Sequence, residues 1–268
     1  MGGSRVSAKT QSNTQREPRG VRSIELGARL LRILSEHGEP MMLKELSVVS
    51  GQSSAQVHAY MASFQSLDFV SRDSNGLYQL GPACIEFGAM RMRITDPMKI
   101  ARHAAQSLSE ETSSSVALVV WGSFGPTVTE IFEGANQLNM NTRPGTVYSL
   151  SGTASGRIFA AFLPEETYKQ AVNRELIEKK TSARVGNVRK IRKSDIEQIR
   201  RDAFATIDQS PVPGITAISA PVFDSSAQLV AAVTLIAHEA TLEKEFDTFA
   251  SLLKRATQSA SRDLGYSF

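Results

Sequence analysis

The sequence predicts an α+β protein of two domains, and three observations support this prediction. The chain has 268 residues, more than the about 100 to 200 residues of an ordinary domain. Three segments with helical spacing of apolar residues and a short β-hairpin precede Pro82. Beyond Pro97, helical segments alternate with pairs of strand-like segments, which favours an antiparallel sheet in the second domain.

The composition is that of a soluble globular protein, with 41% hydrophobic and 21% charged residues. The longest apolar stretches are far shorter than the about 18 residues of a membrane-spanning helix, so no membrane partner is expected. The first 20 residues lack the apolar segment of a secretory signal, and we expect a cytoplasmic protein. The single cysteine, Cys84, excludes an intrachain disulfide and a cysteine-based zinc site.

Residues 1–20 are predicted to form a flexible basic arm. They contain four basic residues, one acidic residue and almost no apolar side chains, so they cannot offset the cost of ordering. The whole chain has a formal net charge of +3, which permits a polyanionic partner without requiring one. Any electrostatic attraction to such a partner would come largely from this arm.

Three helices are predicted between Val21 and Leu67. The first covers residues 22–36 and ends at the sequence HGEP, where glycine and proline stop a helix. The second covers residues 43–49 and stops at Ser50-Gly51. The third begins at Ser53-Ser54, which offer a hydroxyl cap, and runs to about Leu67.

Two short strands, at residues 69–72 and 77–80, flank a turn in which Asn75-Gly76 supplies positive φ. Three helices and a hairpin in about 60 residues, with a tight glycine-containing turn between the second and third helices, are typical of a winged helix-turn-helix. We therefore predict a DNA-binding domain at 21–82 and a linker helix at 83–96. Asp96-Pro97 marks its end.

In a winged helix-turn-helix, the third helix enters the major groove of duplex DNA. Glutamine can bond adenine through two hydrogen bonds, and serine can donate to a phosphate or a base edge. The alternative is that the apolar side chains of this helix form an ordinary packed face while its polar side chains are merely solvated. The candidate DNA contacts are Ser53, Ser54, Gln56, His58 and Tyr60 on the helix and Arg72 on the wing.

The second domain, predicted at residues 97–268, shows no internal repeat. Its strands are expected at 115–121, 127–132, 217–222 and 229–236, with helices at 98–111, 155–163, 165–180, 194–205 and 242–264. The basic run at 179–193 contains Gly186-Asn187 and is interpreted as a solvated surface loop.

From Val21 onward the chain resembles the IclR-type bacterial transcriptional regulators. The first domain carries the resemblance in RSIELGARLLRIL, LKELSVVSG, VHAYMASFQSLDFV and YQLGP. The second carries it in SLSGTASGRIFAAFLP and GITAISAPVFDSSAQLVAAVTLI. The resemblance implies a repressor or activator that binds double-stranded operator DNA, with a GAF-like effector-binding domain. It also implies a homodimer or a tetramer built as a dimer of dimers, in which winged domains pair through helix one and the linker helix.

One departure from the family pattern lies on the third helix. The family usually carries Ser-Thr, then Val-His and then arginine, where this chain has Ala55-Gln56, Val57-His58 and Ala59. A guanidinium that could contact a base or phosphate is therefore absent. We expect Gln56 and His58 to take over part of the readout, with help from Arg72 and the basic arm.

The resemblance also implies a small-molecule pocket in the second domain, with a small organic acid as the effector. Backbone N–H groups around Ala154, Ser155 and Gly156 lie where a helix begins, which suits a carboxylate. Apolar Ala217 and Ile236 suggest a larger, less polar body, such as an aromatic or medium-chain acid. The alternative is that the strand residues of this set simply fill the core. The family pocket positions are Tyr148, Ala154, Ser155, Asp208, Ala217, Thr234 and Ile236, and Trp121 with Phe124 could roof the pocket.

No motif for catalysis, a cofactor or a metal is found. The sequence has neither G-x-G-x-x-G nor a P-loop, GTASG is not a nucleophile elbow, and SLLK at 251–254 lacks its partner motifs. The four histidines are scattered. Two alternatives stay open: an enzyme, such as a hydrolase or transferase, that uses the winged domain only to dimerise, and a sensor whose winged domain binds a protein.

Overall fold

The computed structural model describes residues 20–135, 138, 142–178, 185, 186, 188, 191–207 and 212–267. The contacts within the chain divide it into two compact units, one ending at Ile94 and the other beginning at Thr95. The predicted arm, apart from Gly20, and the candidate pocket residue Asp208 lie outside the described residues.

The first unit is a winged helix-turn-helix followed by a helix, as predicted. Its packed interior is formed by Leu30 and Leu34 of the first helix, Leu46 of the second, and Val57 and Met61 of the third. The elements are α1 (Arg22–His37), α2 (Leu43–Ser50), α3 (Ser54–Ser66), β1 (Val70–Arg72), β2 (Tyr78–Leu80) and α4 (Pro82–Ile94).

The turn between α2 and α3 contains only three residues. Gly51 ends α2 with a φ of 69°, in the left-handed region that glycine adopts without steric cost. Ser53 then caps α3 by accepting a hydrogen bond from the Gln56 amide at 3.3 Å. These two residues fix the angle at which α3 leaves the turn.

The second unit contains a five-stranded antiparallel sheet in the order β4-β3-β7-β6-β5. Its strands are β3 (Ser115–Gly122), β4 (Gly125–Phe132), β5 (Ala205–Thr206), β6 (Ile215–Phe223) and β7 (Leu229–His238). Its helices are α5 (Pro97–Thr112), α6 (Ala154–Phe162), α7 (Glu165–Glu178), α8 (Lys193–Asp202) and α9 (Glu239–Asp263).

Helices cover both faces of this sheet. Side chains alternate between the faces along each strand, so Val116 and Leu118 pack with α5 and α9, while Ala117 and Val119 pack with α6. The result is a three-layer α+β domain with an antiparallel sheet, which confirms the predicted fold class.

Residues 203–205 depart from the predicted helix at 194–205. The helix ends at Asp202, because Ala203 adopts a left-handed conformation with a φ of 48°. Ala205 and Thr206 then pair with Ser219 and Ile218 as the edge strand β5. A strand of two residues is too short to show the alternation by which strands are recognised in a sequence.

A bulge in β6 gives a test of how α9 is attached to the sheet. The pairing register of β6 with β7 shifts between Val222 and Phe223, and the Phe223 amide donates to the Ser261 hydroxyl of α9 at 3.0 Å. Ser261 is fully buried. We predict that Ser261→Ala, which leaves this buried amide without an acceptor, lowers the free energy of unfolding by about 1–3 kcal/mol.

The measurement is urea-induced unfolding of the variant and of Ser259→Ala, an exposed serine two residues away on the same helix. The control should change stability by no more than about 0.5 kcal/mol. Equal losses in the two variants would contradict the role assigned to the Ser261 hydroxyl.

Candidate functional site

The N-terminal turn of α3 is open to solvent. Ser53, Ser54, Gln56 and His58 are all exposed, whereas Val57 is completely buried against α1 and α2. The Ser54 hydroxyl donates to the Ser47 hydroxyl at 3.3 Å, so α2 and α3 are also joined on the exposed side. Four of the five helix residues expected to contact DNA are therefore accessible to solvent.

Tyr60 lies on the inner side of α3. Its side chain is half-buried, and its ring lies 6.2 Å from that of Phe64. It also packs beside Gly27 of α1, where an added Cβ atom would stand 3.5 Å from the tyrosine ring. The structure thus groups Tyr60 with the packed face of the helix rather than with Gln56 and His58.

Arg72 is exposed at the end of β1, and its side chain lies over its own hairpin. Its Nε donates to the Gly76 carbonyl at 3.1 Å, and its guanidinium carbon lies 5.2 Å from the centre of the Tyr78 ring. Such a contact holds the side chain in place while some of its N–H groups stay available. The helix α3 itself contains no lysine or arginine, and the cations near it in the first unit include Arg72 and the exposed Lys44.

A small cavity of about 50 Å³ lies in the second unit between the start of α6 and strands β6 and β7. It brings together six of the nine residues expected to bind an effector. These are Tyr148, Ala154, Ser155, Ala217, Thr234 and Ile236. The other lining residues are Thr142, Thr153, Val185, Ile207, Val212, Ile215 and Thr216.

Ala154 and Ser155, which line this cavity, carry the first two backbone amides of α6. Thr153 caps the helix: its hydroxyl accepts from the Gly156 amide at 3.0 Å, and its carbonyl accepts from the Arg157 amide at 3.0 Å. Within the described residues, the amides of Ala154 and Ser155 have no acceptor. Free N–H groups at the positive end of a helix dipole favour an anion.

Three buried hydroxyls continue from this helix end into the sheet. The Ser155 and Thr234 hydroxyl oxygens lie 2.8 Å apart, and those of Thr234 and Ser219 lie 2.9 Å apart. Ser219 also donates to the Val233 carbonyl at 3.3 Å. A hydroxyl can both donate and accept a hydrogen bond. The Ser155 hydroxyl can therefore donate either to Thr234 or to a ligand, and each of the three hydroxyls keeps a hydrogen-bond partner in both cases.

Most of the other lining side chains are apolar or aromatic, and Thr142 and Thr216 are polar. Ile215, Ala217 and Ile236 contribute from the strands, and Tyr148 contributes an aromatic ring. Burial raises the pKa of the Tyr148 phenol, and its contact with the Thr142 hydroxyl is long, at 3.5 Å. The phenol therefore keeps its proton at neutral pH and can act as a donor.

Three expected pocket residues are not among those that line the cavity. Trp121 packs on Phe159, with 5.7 Å between ring centres, and lines a separate cleft of about 350 Å³ with Phe124. Gly156 lies against the loop before α6, where an added Cβ atom would approach the Leu150 carbonyl oxygen to 2.6 Å. Asp208 is outside the described residues. The nearest described residues on either side of it in the sequence, Ile207 and Val212, line the cavity.

Some lining residues were missed by sequence reasoning. Ile215 is two residues before Ala217 on the same strand, so strand alternation could have identified it. Thr153 could have been found as the hydroxyl residue preceding a helix. Val185 and Val212 lie in irregular segments, where no periodic signal marks a buried side chain.

Two further properties concern the described part of the chain alone. There, no three histidine, cysteine, aspartate or glutamate side chains converge as metal ligands would. Likewise, none of the helices within it is both long and apolar enough to cross a bilayer.

The chain is similar in sequence and fold to transcriptional regulators. The protein is 26% identical over 232 residues to the HTH-type transcriptional regulator KipR of Bacillus subtilis, covering 86% of this chain and 92% of that protein. It is 21% identical over 218 residues to the transcriptional repressor IclR of Escherichia coli, covering 80% and 79%. The crystal structure of Pseudomonas aeruginosa HmgR superposes with a TM-score of 0.75 at 28% identity, covering 92% of this chain and 99% of that one.

Family models match both units. The IclR helix-turn-helix domain matches residues 23–74, and the bacterial transcriptional regulator IclR C-terminal domain matches residues 92–262. The second match alone spans more than half of the chain. The protein therefore belongs to the IclR family of bacterial transcriptional regulators, with a DNA-binding helix-turn-helix domain and a C-terminal ligand-binding domain.

Proposed function

We propose that this regulator reads a palindromic operator with the exposed start of α3 and that an organic acid bound in the α6 cavity modulates this binding. One observation carries the effector part of the proposal. Two amides without an acceptor, those of Ala154 and Ser155, and the hydrogen-bonded hydroxyls of Ser155 and Thr234 belong to residues that line the same cavity. We assign DNA binding to residues 21–82, the linker to 83–96 and effector binding to 97–268.

The side chains available on α3 suit a particular kind of contact. Gln56 and His58 are long enough to reach base edges, and Ser53 and Ser54 at the cap are placed for phosphates. With no guanidinium on the helix, the common arginine–guanine contact is unavailable there. Affinity then depends on cations elsewhere in the winged domain and on the basic arm.

An exposed apolar surface on α4 favours pairing of two copies. Ile85, Phe87, Met90, Met92 and Ile94 are between 49% and 74% exposed, and Val21 and Ile24 at the start of α1 are 59% and 69% exposed. Ile85 and Met92 lie on the opposite side of α4 from Phe87, Met90 and Ile94, and exposed apolar side chains in such number normally mark an association surface. We propose that it forms the dimer contact that a two-fold operator requires, with tetramers built from such dimers.

The cavity chemistry favours a carboxylate effector. The Ala154 and Ser155 amides and the Ser155 hydroxyl can donate to its two oxygens, and apolar Ala217 and Ile236 would contact its body. A volume of about 50 Å³ is small beside the roughly 300–1,000 Å³ of typical ligand pockets. An aromatic or medium-chain acid would therefore need side chains around the cavity to move apart, whereas a very small acid would not.

Regulation follows if the acid binds one arrangement of the assembly better than another. Its effect on operator affinity cannot exceed that difference in binding free energy. The same winged domain and effector cavity would serve either repression or activation.

Selection of genomic DNA fragments retained by the full-length protein tests the DNA part of this proposal. A regulator should enrich a palindromic site, and its affinity should fall steeply as salt rises because phosphate contacts release counterions. Retention without sequence preference would contradict operator recognition.

On the selected operator, Gln56→Ala should weaken binding about 5- to 150-fold, the equivalent of one lost bidentate base contact. Gln65→Ala, an exposed glutamine near the other end of α3, should leave affinity unchanged. Fluorescence anisotropy titration gives both values. A loss below about threefold for Gln56→Ala would reject its role in readout.

Placing a charge on the apolar surface should impair self-association. Ile85→Glu is expected to raise the dimer dissociation constant at least about tenfold, since a carboxylate would be buried without a partner. Ser35→Glu, an exposed position on α1, is the control. Light scattering across a dilution series measures both, and an unchanged dimer in Ile85→Glu would exclude this surface.

Effector chemistry can be tested with acetate, hexanoate and benzoate, each matched with its neutral amide. Calorimetry should show binding of at least one acid and weaker binding of its amide. Ser155→Ala should reduce acid affinity about 10- to 150-fold, the equivalent of a hydrogen bond to a charged group. The variant should fold, because Thr234 retains Ser219 as partner. Equal binding of acids and amides would contradict the carboxylate site, and Ser259→Ala is the control.

A further inference from the structure

We propose that Glu175 of α7 is a positioning residue for the effector site: it fixes the turn at residues 149–153, from which the two free amides of α6 project. This inference rests on the carboxylate site proposed above. Glu175 is only 2% exposed and is not among the residues that line the cavity, so it acts from behind the turn.

The first contacts are between Glu175 and the start of the turn. The Ser149 hydroxyl donates to Glu175 Oε1. The Leu150 amide lies 3.1 Å from Oε2 and 3.2 Å from Oε1. Ser149 and Leu150 are themselves buried, so these bonds are shielded from water. In the described part of the chain, no lysine or arginine forms an ion pair with this carboxylate.

The second set of contacts carries this constraint along the turn to the helix. Because the Ser149 proton is directed at Glu175, the Ser149 oxygen is left to accept from the Gly152 amide, at 2.9 Å. The Ser149 carbonyl accepts from the Thr153 hydroxyl at 2.9 Å. That hydroxyl in turn caps α6 through the Gly156 amide at 3.0 Å.

The turn also connects two groups of cavity residues. Tyr148 lies immediately before it, Ala154 and Ser155 lie immediately after it, and all three line the cavity. Any displacement of the turn therefore changes the distance between the phenol and the free amides. A carboxylate needs those donors at fixed positions, whereas a neutral amide gains less from them. Glu175 should thus set the affinity for acids more than the affinity for their amides.

The test variant is Glu175→Leu, which replaces the carboxylate with an apolar group of similar size. With acetate, hexanoate and benzoate, we expect at least a tenfold loss of acid affinity and a change of less than threefold for the matched amides. Glu166→Gln, an exposed glutamate on the same helix, should match the wild type. An unchanged acid affinity, or an equal loss for acids and amides, would overturn the proposal.

Ser149→Ala removes the same contact from the other side, so the test does not depend on whether Glu175→Leu folds. It removes the hydroxyl that joins Glu175 to the turn, so it should cause a comparable loss for acids. If the two residues act as one unit, the double variant with Glu175→Leu and Ser149→Ala loses no more acid affinity than the more impaired single variant. A loss of acid affinity in the double variant equal to the product of the two single losses would overturn the proposal.

Hydrogen exchange separates this inference from the effector proposal on which it rests. Without any ligand, Glu175→Leu, or Ser149→Ala in its place, should speed exchange of the amides at 150 and 152 at least tenfold and leave the sheet unchanged. If the wild type bound no acid but this local effect appeared, the effector proposal alone would fail. If exchange were unaltered, Glu175 would not hold the turn.

Discussion

The central strands of the second unit are covered by helices on both faces, so the buried hydroxyl groups between helix and sheet take their partners from within the protein. Ser219 and Thr234 both face α6, and water cannot reach either of them. The bond from Thr234 to Ser155, with Ser219 behind it on Thr234, therefore fixes where the start of α6 lies on the sheet. The cavity exists at this place because the helix end, its free amides and the hydroxyls are held together there.

A second constraint acts on the chain that enters α6. Gly156 allows the loop before the helix to lie directly against it, since any side chain at that position would meet the Leu150 carbonyl oxygen. The loop is thus confined between α6 on one side and α7 on the other. The loop at the start of α6 is thus bonded to α7, although no residue of α7 lines the cavity.

Much of the winged unit could be predicted from the sequence, because glycine, proline and serine mark the ends of α1, α2 and α3 and apolar spacing marks their packed faces. The prediction of the pocket residues depended on the family resemblance, which identified Tyr148, Thr234 and Ile236 as pocket positions. Sequence patterns did not reveal Glu175, because a glutamate within EETYKQAVNRELIE is normally read as part of a solvated helix face. Nor did they separate Trp121 from the cavity, since side-chain direction near a strand end depends on tertiary packing.

The exposed face of α3 carries alanine at positions 55, 59 and 62, on the side of the helix away from buried Val57 and Met61. A methyl group occupies little of the depth of a DNA groove. Longer side chains could replace these alanines without disturbing the opposite, packed face of the helix. Under the proposed reading of DNA by α3, single substitutions at these positions would change the sequence preference at little cost in folding, so the set of controlled genes could change readily during evolution.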